Sequence, residues 1–235
     1  MELQNQRVLV IGGSSGIGLA VARRAAASGA DVTIAGRSAA RLEEAANVLP
    51  FPVATLPLDI ADDVAREVLA GTTPWHHVAV TAGDVRTGPI RKQSTSDAQS
   101  GMNAKFWGAW RVAAATPIIQ GGSLTLTSGA FALRPAPGRV IAGAINAAIE
   151  GLARGLALEL APTRVNVVSP GLVDTPLWSA LPDDKRRAYF ERTAAALPAR
   201  RIATADDIAR LYLTAMTTPI LTGTTLLGDG GHVLI

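Results

Sequence analysis

The stretch from Gly12 to Gly18, Gly-Gly-Ser-Ser-Gly-Ile-Gly, sits where a short apolar run ends and an Ala-rich run begins. Glycines at 12, 16 and 18 permit a tight turn. They also let backbone N–H groups approach a pyrophosphate, whose charge is favoured at the positive end of the following helix. The chemistry expected of Gly12, Ser14, Ser15, Gly16, Ile17 and Gly18 is therefore dinucleotide binding. After the next apolar run, Ala35 and Gly36 occupy the place where a carboxylate would bind a ribose 2′-hydroxyl, and Arg37 and Ser38 follow. An arginine fork suits a phosphate, so NADP(H) is expected over NAD(H), with a solvated Arg37 of no selectivity as the bland alternative. The chain has no cysteine, which excludes disulfides, thiol nucleophiles and thiolate metal sites. His76, His77 and His232 lack metal-ligand spacing, so no metal site is expected, and the adjacent pair reads as the exposed start of a strand.

These residues need a scaffold. Short β-branched runs alternate with longer Ala-rich segments, the pattern of βαβ units around a parallel sheet. Strands are expected at 7–11, 32–35, 53–56, 78–81, 124–127, 165–168 and 224–227. With 235 residues, 48% of them hydrophobic, one large domain with a substantial core is expected. The predicted class is a single-domain α/β fold, a doubly wound parallel sheet of about seven strands with helices on both faces. The uncharged run 112–133 is broken by Pro117, Gly121 and Gly122, which argues against a membrane span. The start of the chain lacks the pattern of a secretory signal, and a cytoplasmic location is expected. The formal net charge is +3 with dispersed basic residues, unlike the dense stripe of a nucleic-acid footprint.

Beyond these local readings, the Gly12–Gly18 motif resembles the glycine motif of the short-chain dehydrogenase/reductase family, and further matches extend along almost the whole chain. Leu58-Asp59-Ile60 resembles the family's adenine-contacting segment, which implies roles for Asp59 and Ile60. The turn Val80-Thr81-Ala82-Gly83 is similar to the family's Asn-Asn-Ala-Gly, with Val80 and Thr81 in the places of the two Asn. Asn103 matches the active-site Asn. The segment from Ser169 to Pro176 matches the Pro-Gly segment that holds the nicotinamide amide, here Pro170, Gly171, Val173 and Thr175. The resemblance implies a Rossmann fold, a nicotinamide cofactor, a small-molecule substrate and a homo-oligomer, dimer or tetramer.

In the family, a Tyr exchanges a proton with the substrate oxygen, a Lys four residues later lowers its pKa and binds the nicotinamide ribose, and a Ser orients the carbonyl. The matching positions here are Ala142 and Asn146, and the Ser position falls on Gly129 unless the loop shifts to present Ser128. The catalytic residues expected from the resemblance are thus Asn103 and Ser128. The only lysines are Lys92, Lys105 and Lys185, and the only tyrosines are Tyr189 and Tyr212. Lys105, two positions after Asn103, is expected on a different helix face, and Tyr212 is expected to be a packing residue. Losing a positioned acid costs about 10²- to 10⁴-fold in rate, so ordinary ketone chemistry should be weak. An iminium or strongly polarised alkene would tolerate the site best. The expectation is an NADP(H)-dependent oxidoreductase of altered mechanism. The alternative is a cofactor-binding protein without redox turnover: an isomerase, a cyclase or a catalytically silent subunit.

Two further segments invite a role. The region at about 171–201 begins with two prolines and ends in a charged helix carrying Tyr189 and Phe190, and it reads as a substrate lid. Gly143, Ala147, Gly151 and Gly155 recur every four residues, a narrow face suited to close approach by another helix, as at a subunit interface.

Overall fold

A computed structural model describes residues 2–235. The chain runs β1 (Arg7–Ile11), α1 (Gly16–Ala27), β2 (Asp31–Gly36), α2 (Ala39–Val48), β3 (Ala54–Pro57), α3 (Val64–Ala70), β4 (Trp75–Val80) and α4 (Thr95–Met102). A π-helical turn (Asn103–Trp107) leads into α5 (Gly108–Ala115), followed by β5 (Ile118–Thr127), α6 (Val140–Glu159) and β6 (Arg164–Pro170). The remainder comprises β7 (Val173–Asp174), α7 (Asp183–Ala196), β8 (Ala203–Thr204), α8 (Ala205–Thr217) and β9 (Thr225–Gly228).

Seven strands form one sheet in the order β3-β2-β1-β4-β5-β6-β9, and every recorded pairing is parallel. The expected strands are all present, most of them a residue or more longer. Those at 78–81 and 124–127 gain several residues at their starts, where Trp75–His77 and Ile118–Ser123 are less uniformly apolar. The short parallel pair β7–β8 was not foreseen, because two-residue strands carry no periodic signal.

Burial on both faces explains the continuous apolar strands. On one face, Ala20, Val21, Ala22 and Ala25 of α1 pack with Leu42 of α2 and with Ile208, Ala209, Tyr212 and Met216 of α8. On the other, Leu69 of α3, Val112 of α5 and Ile149 and Ala153 of α6 cover Leu9, Val78, Leu124 and Val165. Arg24 and Arg23 of α1 reach Asp206 at the start of α8, tying these two helices together. Tyr212 is fully buried, as expected of a packing residue, and its hydroxyl meets that of Thr127.

The His76–His77 pair departs from expectation. His77 is buried: its Nδ1 lies 2.8 Å from Ser123 Oγ and its Nε2 2.6 Å from Gln6 Oε1, while His76 Nδ1 accepts from the Arg7 N–H. Burial, with Arg164 and His76 nearby, lowers the His77 pKa to about 4, so the imidazole is neutral at pH 7. Arg164 itself donates to the carbonyls of Ala215, Met216, Thr218 and Leu221, gathering the end of α8 and the loop beyond it onto the start of β6.

By length and composition α6 could cross a membrane, with a mean hydropathy of 1.3. Here one side of it packs into the core, with Ala142, Ile145, Asn146, Ile149, Glu150 and Ala153 turned inward at helical spacing, and the other side is exposed.

Candidate active site

The sheet order reverses between β1 and β4, and in such sheets the crevice outside the strand ends is where ligands bind. A cavity of about 750 Å³ occupies that place. Its floor is the turn between β1 and α1. Gly12 has φ +88°, and a Cβ on Gly18 would lie 2.1 Å from the Gly12 carbonyl oxygen, so neither position has room for a side chain in this turn. A Cβ at either glycine would also meet Thr81 Oγ1, within 2.6 Å. Thr81 donates to the Ile11 carbonyl at 2.9 Å, which fixes the two strand ends side by side. Ser15 caps α1 without a side-chain bond to it, and the first turn carries no acidic residue, so the positive end of α1 is open to an anion.

Gly12, Ser14, Ser15, Gly16, Ile17, Gly18, Arg37, Ser38, Asp59, Ile60, Ala82, Gly83 and Thr175 all line this cavity. Pro170, Gly171 and Val173, expected with them, do not. Pro170 and Val173 are buried beneath, and Gly171 is pressed against Asp229, whose Cα lies 2.7 Å from where a Cβ would be. Ile11, Gly36, Arg41, Leu58, Ala61, Thr81, Asp84, Ala104, Pro176 and Leu177, not among the expected cofactor-binding residues, complete the lining. Arg41 had a signal: Ser38 caps α2 by accepting from the Arg41 N–H at 3.3 Å, which puts Arg41 one turn from Arg37 at the same rim. The glycine floor, the open helix end and the two arginines, Arg37 and Arg41, at the rim fit a dinucleotide.

The expected catalytic residues are not all brought together. Asn103 begins the π-helical turn and is engaged elsewhere: its Nδ2 donates to the Ala61 carbonyl at 3.0 Å and its Oδ1 accepts from Arg111 at 3.0 Å. Ser128, Ala142 and Asn146 do converge, all buried. Ser128 Oγ donates to Glu150 at 2.9 Å, and Asn146 Nδ2 donates to the Gly129 carbonyl at 3.3 Å. Lys105 joins them: its Nζ donates to Asn146 Oδ1 at 2.6 Å and to the Ser128 carbonyl at 2.9 Å. Asn103 and Lys105 do point to different partners, and Lys105 is the one that faces the cluster. Burial lowers its pKa to about 8 from the ordinary 10.5.

The lid region contributes Thr175, Pro176 and Leu177 to the cavity wall. Trp178, Tyr189 and Phe190 form an aromatic cluster with ring centroids 5.5 to 6.2 Å apart. No residue of α7 is fully buried.

A parallel sheet reversing over a glycine cradle defines a dinucleotide-binding α/β protein. Residues 12–232 match the family model described as Enoyl-(Acyl carrier protein) reductase. The chain is 33% identical to Short-chain dehydrogenase/reductase malC of Malbranchea aurantiaca, covering 99% of this chain and 96% of that protein. It is 31% identical to Short-chain dehydrogenase/reductase ucsE of Acremonium sp, covering 99% and 97%. Among solved structures, a small-chain dehydrogenase in complex with NADPH superposes with TM-score 0.84 at 33% identity, covering 99% of this chain and 100% of that one. MalC Reductase/Diels-Alderase from Malbranchea aurantiaca superposes with TM-score 0.90 at 34% identity, covering 100% and 98%. The chain belongs to the short-chain dehydrogenase/reductase family.

Proposed function

We propose that this protein is an NADP(H)-dependent oxidoreductase of altered mechanism, an atypical member without the family's Tyr and Lys, acting on a small organic substrate. The observation that carries the reading is the contrast between an intact cradle and a changed helix. Gly12, Gly16 and Gly18 of the turn line the cavity, whereas α6 presents Ala142 and Asn146, which cannot exchange a proton at neutral pH. When bound, the nicotinamide supplies hydride. Arg37 and Arg41 hold the 2′-phosphate and favour NADP(H) over NAD(H), and the start of α1 holds the pyrophosphate. Ser128, whose hydroxyl proton is turned toward Glu150, offers its lone pairs inward and orients a substrate donor group in preference to polarising a carbonyl. An iminium or strongly polarised alkene, which needs no proton on oxygen during hydride transfer, is the substrate class this arrangement accepts best.

The segment 171–201 acts as a lid: its helix has no deep packing to lose on moving, and its aromatic cluster gives an apolar cover. The protein works as a homodimer or homotetramer in the cytoplasm. Trp107 and Trp110 are exposed, and Gly151 and Gly155 of α6 have nothing of the chain packed closely on them. Such an uncovered apolar surface suits a second copy.

A second reading, a non-redox cyclase or isomerase using the cofactor as scaffold, is favoured by the likeness to MalC Reductase/Diels-Alderase. Mixing the protein with NADPH and a panel of iminium salts, polarised alkenes and ketones separates the two. Substrate-dependent loss of nicotinamide absorbance supports the first reading; product formation with NADPH unconsumed supports the second. Arg37→Ala should narrow the preference for NADPH over NADH by about tenfold, and a parent with equal affinity for both cofactors refutes the NADP(H) assignment.

A further inference from the structure

Lys105 is the only one of the three lysines that is not exposed, and it is carried on the π-helical turn (Asn103–Trp107). Such turns are rare and frequently mark functional sites. Its stem lies against Gly83, where a Cβ would come within 2.9 Å of Lys105 Cγ; both Gly83 and the preceding Ala104 line the cofactor cavity. Two N–H bonds of the ammonium are taken by neutral oxygens, Asn146 Oδ1 and the Ser128 carbonyl, and the third has no partner among the described residues. No carboxylate pairs with it directly. The charged groups on the elements around it are Glu150 on α6, which reaches Ser128, Asp84 beside Gly83, and Arg111, which reaches Asn103.

An ammonium fixed beside a cofactor cavity without an ionic partner is ready to lose a proton, and its neighbours cannot do so. Asn146 and Ser128 do not ionise near neutral pH, and the Glu150 carboxyl is engaged in accepting from the Ser128 hydroxyl. Tyr212 is sealed in the core against Thr127, with its pKa raised by burial. We propose that Lys105 is the proton donor of this site, its ammonium delivering the proton that an acceptor oxygen requires as the adjoining carbon is reduced. The inference rests on the oxidoreductase reading and identifies the acid that α6 does not provide. The substrate carbon gains a hydride with its electron pair from the nicotinamide. The carbonyl π pair moves to oxygen, and that oxygen takes the proton as one Nζ–H bond breaks. The neutral amine is then recharged from solvent. A pKa of about 8 keeps the group charged, yet acidic enough to give up the proton, at neutral pH.

Two probes separate proton delivery from hydride delivery: 2,2,2-trifluoroacetophenone, whose oxygen must be protonated, and N-methyl-3,4-dihydroisoquinolinium, which needs no proton. With NADPH, the parent should reduce both, and its rate on the ketone alone should fall above about pH 8, as expected when a general acid loses its proton. Lys105→Met should lower ketone turnover by about 10²-fold or more and leave the iminium rate within about threefold. Lys105→Arg keeps the charge but cannot release a proton below about pH 12, so it should lose the ketone in the same way. Because the chain has only three lysines, [ε-¹³C]lysine NMR should show one signal titrating near 8, absent from Lys105→Met. A parent that reduces the iminium but no ketone leaves the oxidoreductase reading standing and overturns the role of Lys105. So does an equal loss on both probes in a folded variant, a ketone rate in the parent that does not change with pH, or a Lys105 signal titrating at 10.5. A parent that reduces neither probe overturns the oxidoreductase reading, and the role of Lys105 falls with it.

Discussion

Placing a second ammonium beside Lys105 tests the electrostatics of the site directly. Asn146 Oδ1 is 2.6 Å from Lys105 Nζ, so in Asn146→Lys the new amine comes within about 4 Å of the old one. Two full charges at that distance, in an effective dielectric of about 20, would cost about 4 kcal/mol. A cheaper escape exists. With a pKa of about 8, Lys105 can shed its proton at pH 7 for about 1.4 kcal/mol, and deprotonation is therefore the effect that wins. The folded pKa lies below the unfolded one, so the unfolded chain holds more protons and stability rises with pH. The coupling between Asn146→Lys and Lys105→Met, from urea unfolding of the parent, both single variants and the double, should be about 1.4 kcal/mol at pH 7. It should grow to about 4 kcal/mol at pH 5 and vanish above about pH 9. A coupling below about 0.5 kcal/mol at pH 5, or one independent of pH, refutes the placement of the Lys105 ammonium against Asn146.

Other consequences are as direct. Gly18→Ala drives a methyl group into the Gly12 carbonyl and should lower NADPH affinity by at least about tenfold with a loss of about 1–3 kcal/mol in stability. Isothermal titration that finds unchanged affinity would contradict the cradle geometry. His77 stays neutral in the fold down to about pH 4, whereas a free imidazole takes up a proton near 6.5. The stabilising contribution is present above 6.5 and is lost on acidification, by about 3 kcal/mol between 6.5 and 4. His77→Gln should flatten that part of the pH–stability curve, and an unchanged slope would show that His77 is not the group responsible. Gly151→Leu puts a bulky side chain on the open face of α6 and should weaken self-association in sedimentation; a parent that sediments as a monomer rules out the interface.

The sequence made the cradle and the sheet legible because both are written in local patterns: apolar runs at strand length, glycines at a strand-to-helix turn, Arg37 and Ser38 just beyond β2. What it hid depends on contacts between distant segments. Lys105 meets Asn146 and Ser128 only through packing of the π-helical turn against α6 and the end of β5, and two positions along a helix gave no hint of it. His77 looked like a surface residue because its partners, Gln6 and Ser123, lie 71 and 46 residues away. Pro170, Gly171 and Val173 matched a motif in letters, yet none of them lines the cavity. Arg41 was overlooked because its reach to the cavity rim depends on how α2 is capped.

The packing of α8 against α1 sets an order of events during synthesis. The cradle at Gly12–Gly18 is synthesised before α8, yet part of the buried face of α1 is covered by Ile208, Ala209, Tyr212 and Met216 of that later helix. Until α8 has emerged, only the strands beneath and Leu42 of α2 cover the apolar side of α1. A growing chain of this kind therefore keeps the α8-facing part of α1 open until α8 is made, and apolar surface left open in this way is prone to aggregation.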